Sequence, residues 1–82
     1  MFIKLTRVVG SDKEEVLIGI LQITLVMPSL ESDKSKGINS YIEIQGGENL
    51  IGVTQSVDQI QQLINSTIAD LAVTISYRMR GV

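Results

Sequence analysis

Apolar and polar residues alternate through much of the first 55 positions of this chain and switch to a helical spacing from residue 56 onward. Phe2 to Val9 places Ile3, Leu5 and Val9 on one side and Lys4, Thr6 and Val8 on the other. That pattern predicts a strand with one partly polar face. Gly10-Ser11-Asp12-Lys13 reads as a turn. Val16 to Ile20 predicts a second strand, leading through Gly19 and Gln22 into a third at Ile23 to Met27, which Pro28 ends by removing a ladder donor. Both faces of residues 16–27 are apolar, more than a sheet covered on one side by one helix can bury. The excess predicts burial against another surface, most simply a second copy of the chain.

Ser29 to Asn39 holds Glu31, Asp33, Lys34 and Lys36 among serines and Gly37, a composition that predicts a mobile surface loop. Tyr41 to Gln45 alternates again, with Ile42 and Ile44 inward and Tyr41, Glu43 and Gln45 outward. Gly46-Gly47 supplies the positive φ of a tight turn, and Leu50 to Gln55 is the return strand. Ser56-Val57-Asp58-Gln59 has the form of a capping box, with Asp58 suited to the helix dipole. Val57, Ile60, Leu63, Ile64, Ile68 and Leu71 then recur at three and four residues, opposite Asp58, Gln61, Gln62, Asn65 and Ala69. A helix is predicted from Val57 to Ala72. Val73 to Tyr77 favours strand by propensity, so residues 73–82 are expected as a C-terminal arm, either a fraying helix end or an extended segment.

The expected architecture is therefore α+β and mainly β, with four to five antiparallel strands covered by one C-terminal amphipathic helix. Residues 1–82 form a single domain, divided into a β-rich sheet (1–55), the helix (56–72) and the arm (73–82). Eighty-two residues are close to the size at which a single core is barely adequate. The chain has no cysteine and no histidine, which excludes a disulfide framework and a Cys/His zinc site. Its aromatic residues are Phe2, Tyr41 and Tyr77, so the core is built from Ile, Leu and Val, with no stacking platform for bases. The net charge of −2 offers no electrostatic footprint for nucleic acid or an anionic membrane. The apolar run from Val16 to Pro28 is shorter than the roughly 20 residues of a membrane span, and no signal peptide is expected at the N-terminus. A cytoplasmic protein follows as the expectation.

Candidate chemistry is sparse. Asp12, Glu14 and Glu15 cluster in a turn and read as solvated carboxylates. Asp58 and Asp70 are rotated roughly 120° apart on the helix, so they do not converge on one substrate. Gly46, Gly47 and Gly52 match no phosphate-binding pattern. The hydroxyls have no histidine base, and the lysines lie where nothing desolvates them. No catalytic residue, metal site or cofactor is expected. The one basic cluster, Arg78 and Arg80 with Tyr77, joins Arg7 as a candidate partner-binding set, and Leu21, Ile23, Leu25 and Met27 are the candidate oligomer interface.

Two resemblances add to this. Met1-Phe2-Ile3-Lys4-Leu5-Thr6-Arg7-Val8-Val9-Gly10, with Tyr41 to Gly47 and then Val53-Thr54-Gln55-Ser56-Val57-Asp58-Gln59-Ile60, resembles the small FlbD-like proteins over roughly residues 1 to 66. Those pair an IxLTRxxG opening with a strand, a glycine turn and a VxESVxxI helix start; this chain has Gln55 at the acidic position. The resemblance implies a fold of the kind just described, a flagellar, phage or mobile-element setting, and no catalytic residue. The opening is also similar to that of the RNA-binding CsrA regulators, with Arg7 matching one arginine of their LTRR and Val8 replacing the other.

The expected function is a non-enzymatic binding or adaptor protein acting as a homo-oligomer, whose partners are itself and another protein. A second expectation is sequestration of a small ligand such as a nucleotide signal in pockets between protomers near Ser29 to Asn39. A third is CsrA-like RNA binding through Arg7, Arg78 and Arg80, which the acidic balance and the missing arginine oppose.

Overall fold

The computed structural model describes the backbone of residues 1–80 and the side chains of residues 1–70. Five strands and a long helix follow one another as β1 (Phe2–Val9), β2 (Asp12–Gly19), β3 (Ile23–Pro28), β4 (Ser40–Ile44), β5 (Ile51–Val53) and α2 (Val57–Arg80), with the one-turn α1 (Glu31–Lys34) between β3 and β4. All pairings are antiparallel, in the order β2-β1-β5-β4-β3. This is the α+β architecture expected from the chain's periodicity.

The connection between β2 and β3 makes the sheet roll. These strands occupy opposite edges, yet only the 3₁₀ turn Ile20–Gln22 separates Gly19 from Ile23. Four strand-to-strand spacings in a flat sheet amount to about 19 Å. The chain from Gly19 to Ile23 spans at most about 14 Å. Register widens the mismatch. Arg7, Val53, Ser40 and Pro28 lie on one level across β1, β5, β4 and β3. From that level the β1–β2 hairpin runs one way to Phe2 and Gly19, while β3 and β4 run the other way to Ile23 and Ile44. The sheet closes on itself to bring the two ends together. Two backbone bonds at this corner hold it: Ile20 N–H donates to the Met1 carbonyl at 3.0 Å and Gln45 N–H to the Gln22 carbonyl at 2.7 Å.

Rolling gives the sheet an inside. Ile3, Leu5, Ile18, Ile42 and Val53 are buried there, and Ile60 of α2 completes the core. Val9, expected beside Ile3 and Leu5, is exposed at the rim where β1 ends. The capping box forms in both directions. Gln59 N–H donates to Ser56 Oγ at 3.1 Å, and Ser56 N–H donates to Gln59 Oε1 at 2.8 Å. Ile60 and Ile64 lie one turn apart and pack on the core.

Three expectations change. Strand β2 begins at Asp12, so the turn contracts around Gly10-Ser11 and the acidic residues become strand residues paired with β1. The segment from Ser29 to Asn39 is a tied loop: Ser29 Oγ donates to the Ile38 carbonyl at 2.7 Å and Ser29 N–H to the Asn39 carbonyl at 3.2 Å. Helix α2 continues to Arg80, past the Ala72 expected as its end, so of the two forms expected for the arm the backbone of residues 73–80 takes the helical one. Continuing a helix adds one backbone hydrogen bond per residue, whereas an isolated strand has no partner for its backbone.

Candidate interaction surface

On β1 the inward residues are odd-numbered, so Phe2, Lys4, Thr6 and Val8 face outward, opposite Gly19, Leu17, Glu15 and Lys13 of β2. The outer face is therefore divided. Toward the Gly10 turn it is charged, with Lys4 Nζ 3.9 Å from Glu15. Toward the 3₁₀ turn it is apolar. Phe2 (62% exposed) and Leu17 (65%) are diagonal neighbours there, and Leu21 (81%) follows on the 3₁₀ turn itself. The Phe2 ring lies over Gly19, its Cε1 3.8 Å from where a Cβ would stand, an ordinary packing distance.

The proposed interface row on β3 is broken by a bulge. Pairing shifts between Ile23, opposite Ile44, and Leu25, opposite Glu43, which leaves Thr24 as the extra residue. Thr24 Oγ1 lies within hydrogen-bond distance of Glu43 Oε1, at 2.9 Å, and of the Glu43 carbonyl, at 3.2 Å. The extra residue changes the parity, so Ile23 and Val26 both pack on the core while Leu25 (45% exposed) turns outward and Met27 is half-buried. Of the residues Leu21, Ile23, Leu25 and Met27, the structure leaves Leu21 and Leu25 open and assigns Ile23 to the interior. Phe2 and Leu17 were missed as surface candidates. Their signal was the parity of β1: once Ile3 and Leu5 are inward, Phe2 is outward, and antiparallel pairing carries Leu17 with it.

Neither sheet edge offers a clean template for another strand. Strand β2 opens with Asp12, Lys13, Glu14 and Glu15, all exposed, and β3 carries the bulge at one end and Pro28 at the other. Blunted edges beside open apolar side chains point to contact through the outer face.

Arg7 lies on the inward parity of β1 at the rim. Its guanidinium turns to Glu14, Nη2 to Oε1 at 2.7 Å, and its Nε is buried without a hydrogen-bond partner. Tyr77, Arg78 and Arg80, the other candidate partner-binding residues, have side chains outside the described residues. The Asp33 carboxylate of α1, as hydrogen-bond acceptor and as a negative charge, together with burial raises the Tyr41 phenol above its ordinary pKa. A cavity of about 280 Å³ beside the tied loop is lined by Pro28, Lys34, Asn39, Ser56, Val57 and Asp58. Among the described residues no cluster of three or more acidic side chains is placed to hold a metal ion, and no helix is long and apolar enough to cross a membrane.

Comparison with known proteins gives no match: no family model fits the chain, and no curated protein and no solved structure is significantly similar to it.

Proposed function

We propose that this chain is a small non-enzymatic binding protein that works as a homo-oligomer, with the outward apolar side chains of Phe2, Leu17, Leu21 and Leu25 as its contact surface. The observation that carries this reading is the exposure of these four residues on a domain whose own core is already filled by Ile3, Leu5, Ile18, Ile42, Val53 and Ile60. Phe2 and Leu17 are diagonal neighbours on one face, and an exposed apolar patch on so small a domain is the usual mark of a contact surface. A chain without histidine or cysteine also has few routes to acid–base or nucleophilic chemistry. The FlbD-like resemblance fits a small accessory protein of this kind, and a cytoplasmic setting is part of the same proposal. The test is the solution mass of Leu21→Asp beside the wild type. Loss of mass with an unchanged melting temperature supports the surface, and unchanged mass in a folded variant removes it.

The cavity between the tied loop and the start of α2 favours small-ligand sequestration as a second reading. Lys34 lines it, with its ammonium 3.1 Å from Glu31 Oε1, and the reading has a neighbouring protomer close it. Thermal-shift measurement with a nucleotide panel separates the readings, because a ligand at a hundred times its dissociation constant adds about 2.7 kcal/mol. CsrA-like RNA binding is the weakest reading: Glu14 engages the one described arginine it would use.

A further inference from the structure

Strand β1 has an open stretch of backbone inside the sheet, beside α2. It closes with β2 on the two-residue turn Gly10-Ser11 at the pair Val9–Asp12, so its odd-numbered residues exchange backbone bonds with β2. The even-numbered ones point their N–H and C=O the other way, toward β5. Thr6 follows this rule: its C=O accepts from Thr54 N–H at 3.0 Å, and its N–H donates to Gln55 Oε1 at 2.9 Å. Lys4 and Phe2 come next on that side, where β5 has already ended. The β1–β5 pairing stands at Arg7–Val53, and β5 is the only strand that adjoins β1 there among the described residues. The Lys4 and Phe2 backbones are thus left in line without a ladder partner.

Helix α2 packs on both β1 and β3. Val57, Ile60, Gln61 and Ile64 adjoin Val26 of β3. The other flank, with Gln59, Gln62, Leu63 and Ser66, lines a cavity of about 330 Å³ together with Gln55, the residue whose amide ends the pairing of β1. That volume lies at the lower end of the range for ligand sites, roughly 300–1,000 Å³. The lining carries no charge.

We infer that an extended, uncharged polypeptide segment of a partner protein adds to β1 at Phe2–Lys4, with its inward side chains in the cleft along α2. This rests on the binding-protein reading above but not on the apolar outer face. An extended backbone is the occupant because N–H and C=O groups repeating every two residues, about 6.8 Å apart, match another strand. Parity places its side chains: the residue level with Lys4 points outward, and its two neighbours, level with Ile3 and Leu5, point inward toward α2. The lining then sets their chemistry. A charged side chain would lose its water there and meet no counter-charge, whereas Asn, Gln, Ser or Thr hydrogen-bonds the amides and a small apolar residue meets Leu63.

The test uses the full-length chain and an array of eight-residue peptides, uncharged in one half and carrying Lys or Glu at alternate positions in the other. Wild type is expected to select uncharged peptides, and Gln62→Glu to move the selection toward those with Lys. Amide hydrogen exchange of the free protein should show Lys4 exchanging quickly between slow Ile3 and Leu5, and the selected peptide should protect it. N-methylating that peptide at the residue level with Lys4 should weaken binding about tenfold, the worth of one hydrogen bond, while N-methylation of the adjacent residues leaves the affinity unchanged. Leu21→Asp is expected to keep the wild-type peptide affinity whether or not its mass falls, so the oligomeric reading fails or stands separately. No peptide bound anywhere on the array, or equal tolerance of N-methylation at every position, would overturn the inference. So would protection of Lys4 that rises with protein concentration in the absence of peptide, the mark of a second copy at this edge.

Discussion

Gln55 acts on Thr6 as if it were another strand residue. Thr6 N–H donates to Gln55 Oε1 at 2.9 Å, and Gln55 Nε2 donates to Thr6 Oγ1 at 3.3 Å. Strand β5 ends at Val53, so β1 loses its neighbour there while its backbone still needs a partner. The backbone supplies one bond, Thr54 N–H to the Thr6 carbonyl at 3.0 Å, and the Gln55 amide supplies the next. Removing it with Gln55→Ala leaves a part-buried N–H unsatisfied and is expected to cost about 1–2 kcal/mol in urea unfolding. Gln55→Glu should retain most of the stability, because a carboxylate accepts from both the N–H and the threonine hydroxyl. Equal losses in the two variants would show that the amide's own donor is needed.

The approach of β5 to the tied loop is close enough that a side chain at Gly52 would press on Ile38. A Cβ there would stand 3.1–3.3 Å from three carbons of Ile38. Gly52→Ala is expected to destabilise the fold by about 1–3 kcal/mol, the usual range for overpacking. Ile38→Ala removes all three contacting atoms and should recover part of that loss in the double variant. A purely additive double-mutant cycle would contradict the contact.

Ser40 is fully buried on β4, and its hydroxyl donates to the Gln55 carbonyl at 2.6 Å. Ser40→Ala orphans a carbonyl at the point where the chain leaves β5 for α2, and is expected to cost about 1–2 kcal/mol. At the start of that helix, Ser56→Ala removes the cap on Gln59 N–H, with an expected loss of about 1 kcal/mol. Denaturant titration of each variant checks both values.

The Tyr41–Asp33 pair makes an alkaline prediction. Because the phenol's pKa is raised in the fold, the neutral form is the one the fold favours. Its contribution is complete below the ordinary tyrosine pKa and is lost as pH rises through the higher folded value. In a Tyr77→Phe background, ultraviolet titration follows Tyr41 alone. Asp33→Asn should move its midpoint down toward the ordinary value, and an unmoved midpoint would mean that Asp33 has no part in the shift.

The β3 bulge separates two residues that alternation alone would treat alike. Ile23→Asp places a carboxylate against the core and is expected to unfold or severely weaken the domain. Leu25→Asp, on the outward side, should stay folded and weaken assembly. Thermal melts of the two variants decide the assignment; equal tolerance would place Ile23 outside the core.

The legible parts of the fold were those that local chemistry determines. Ile3 with Leu5 and Ile42 with Ile44 announce strands by their alternation, and Ser56 with Gln59 announces the helix start by reciprocal caps. The closure of the sheet was not legible, because it depends on β2 and β3 lying at opposite edges while three residues join them. Propensity alone left residues 73–77 open between strand and helix. Their β-branched side chains favour strand, but the helix already begun at Val57 continues through them. The contact surface was half legible. Leu21 and Leu25 stood out as surplus apolar residues, whereas Phe2 and Leu17 needed the β1–β2 register and Ile23 needed the bulge.

Self-association through exposed apolar side chains is the central claim, and the mass of the full-length wild type in solution tests it most directly. Light scattering across a concentration series at two salt levels should give two or more times the mass of the 9.0 kDa chain, insensitive to salt because the contacts are apolar. A 9.0 kDa monomer at every concentration would contradict it.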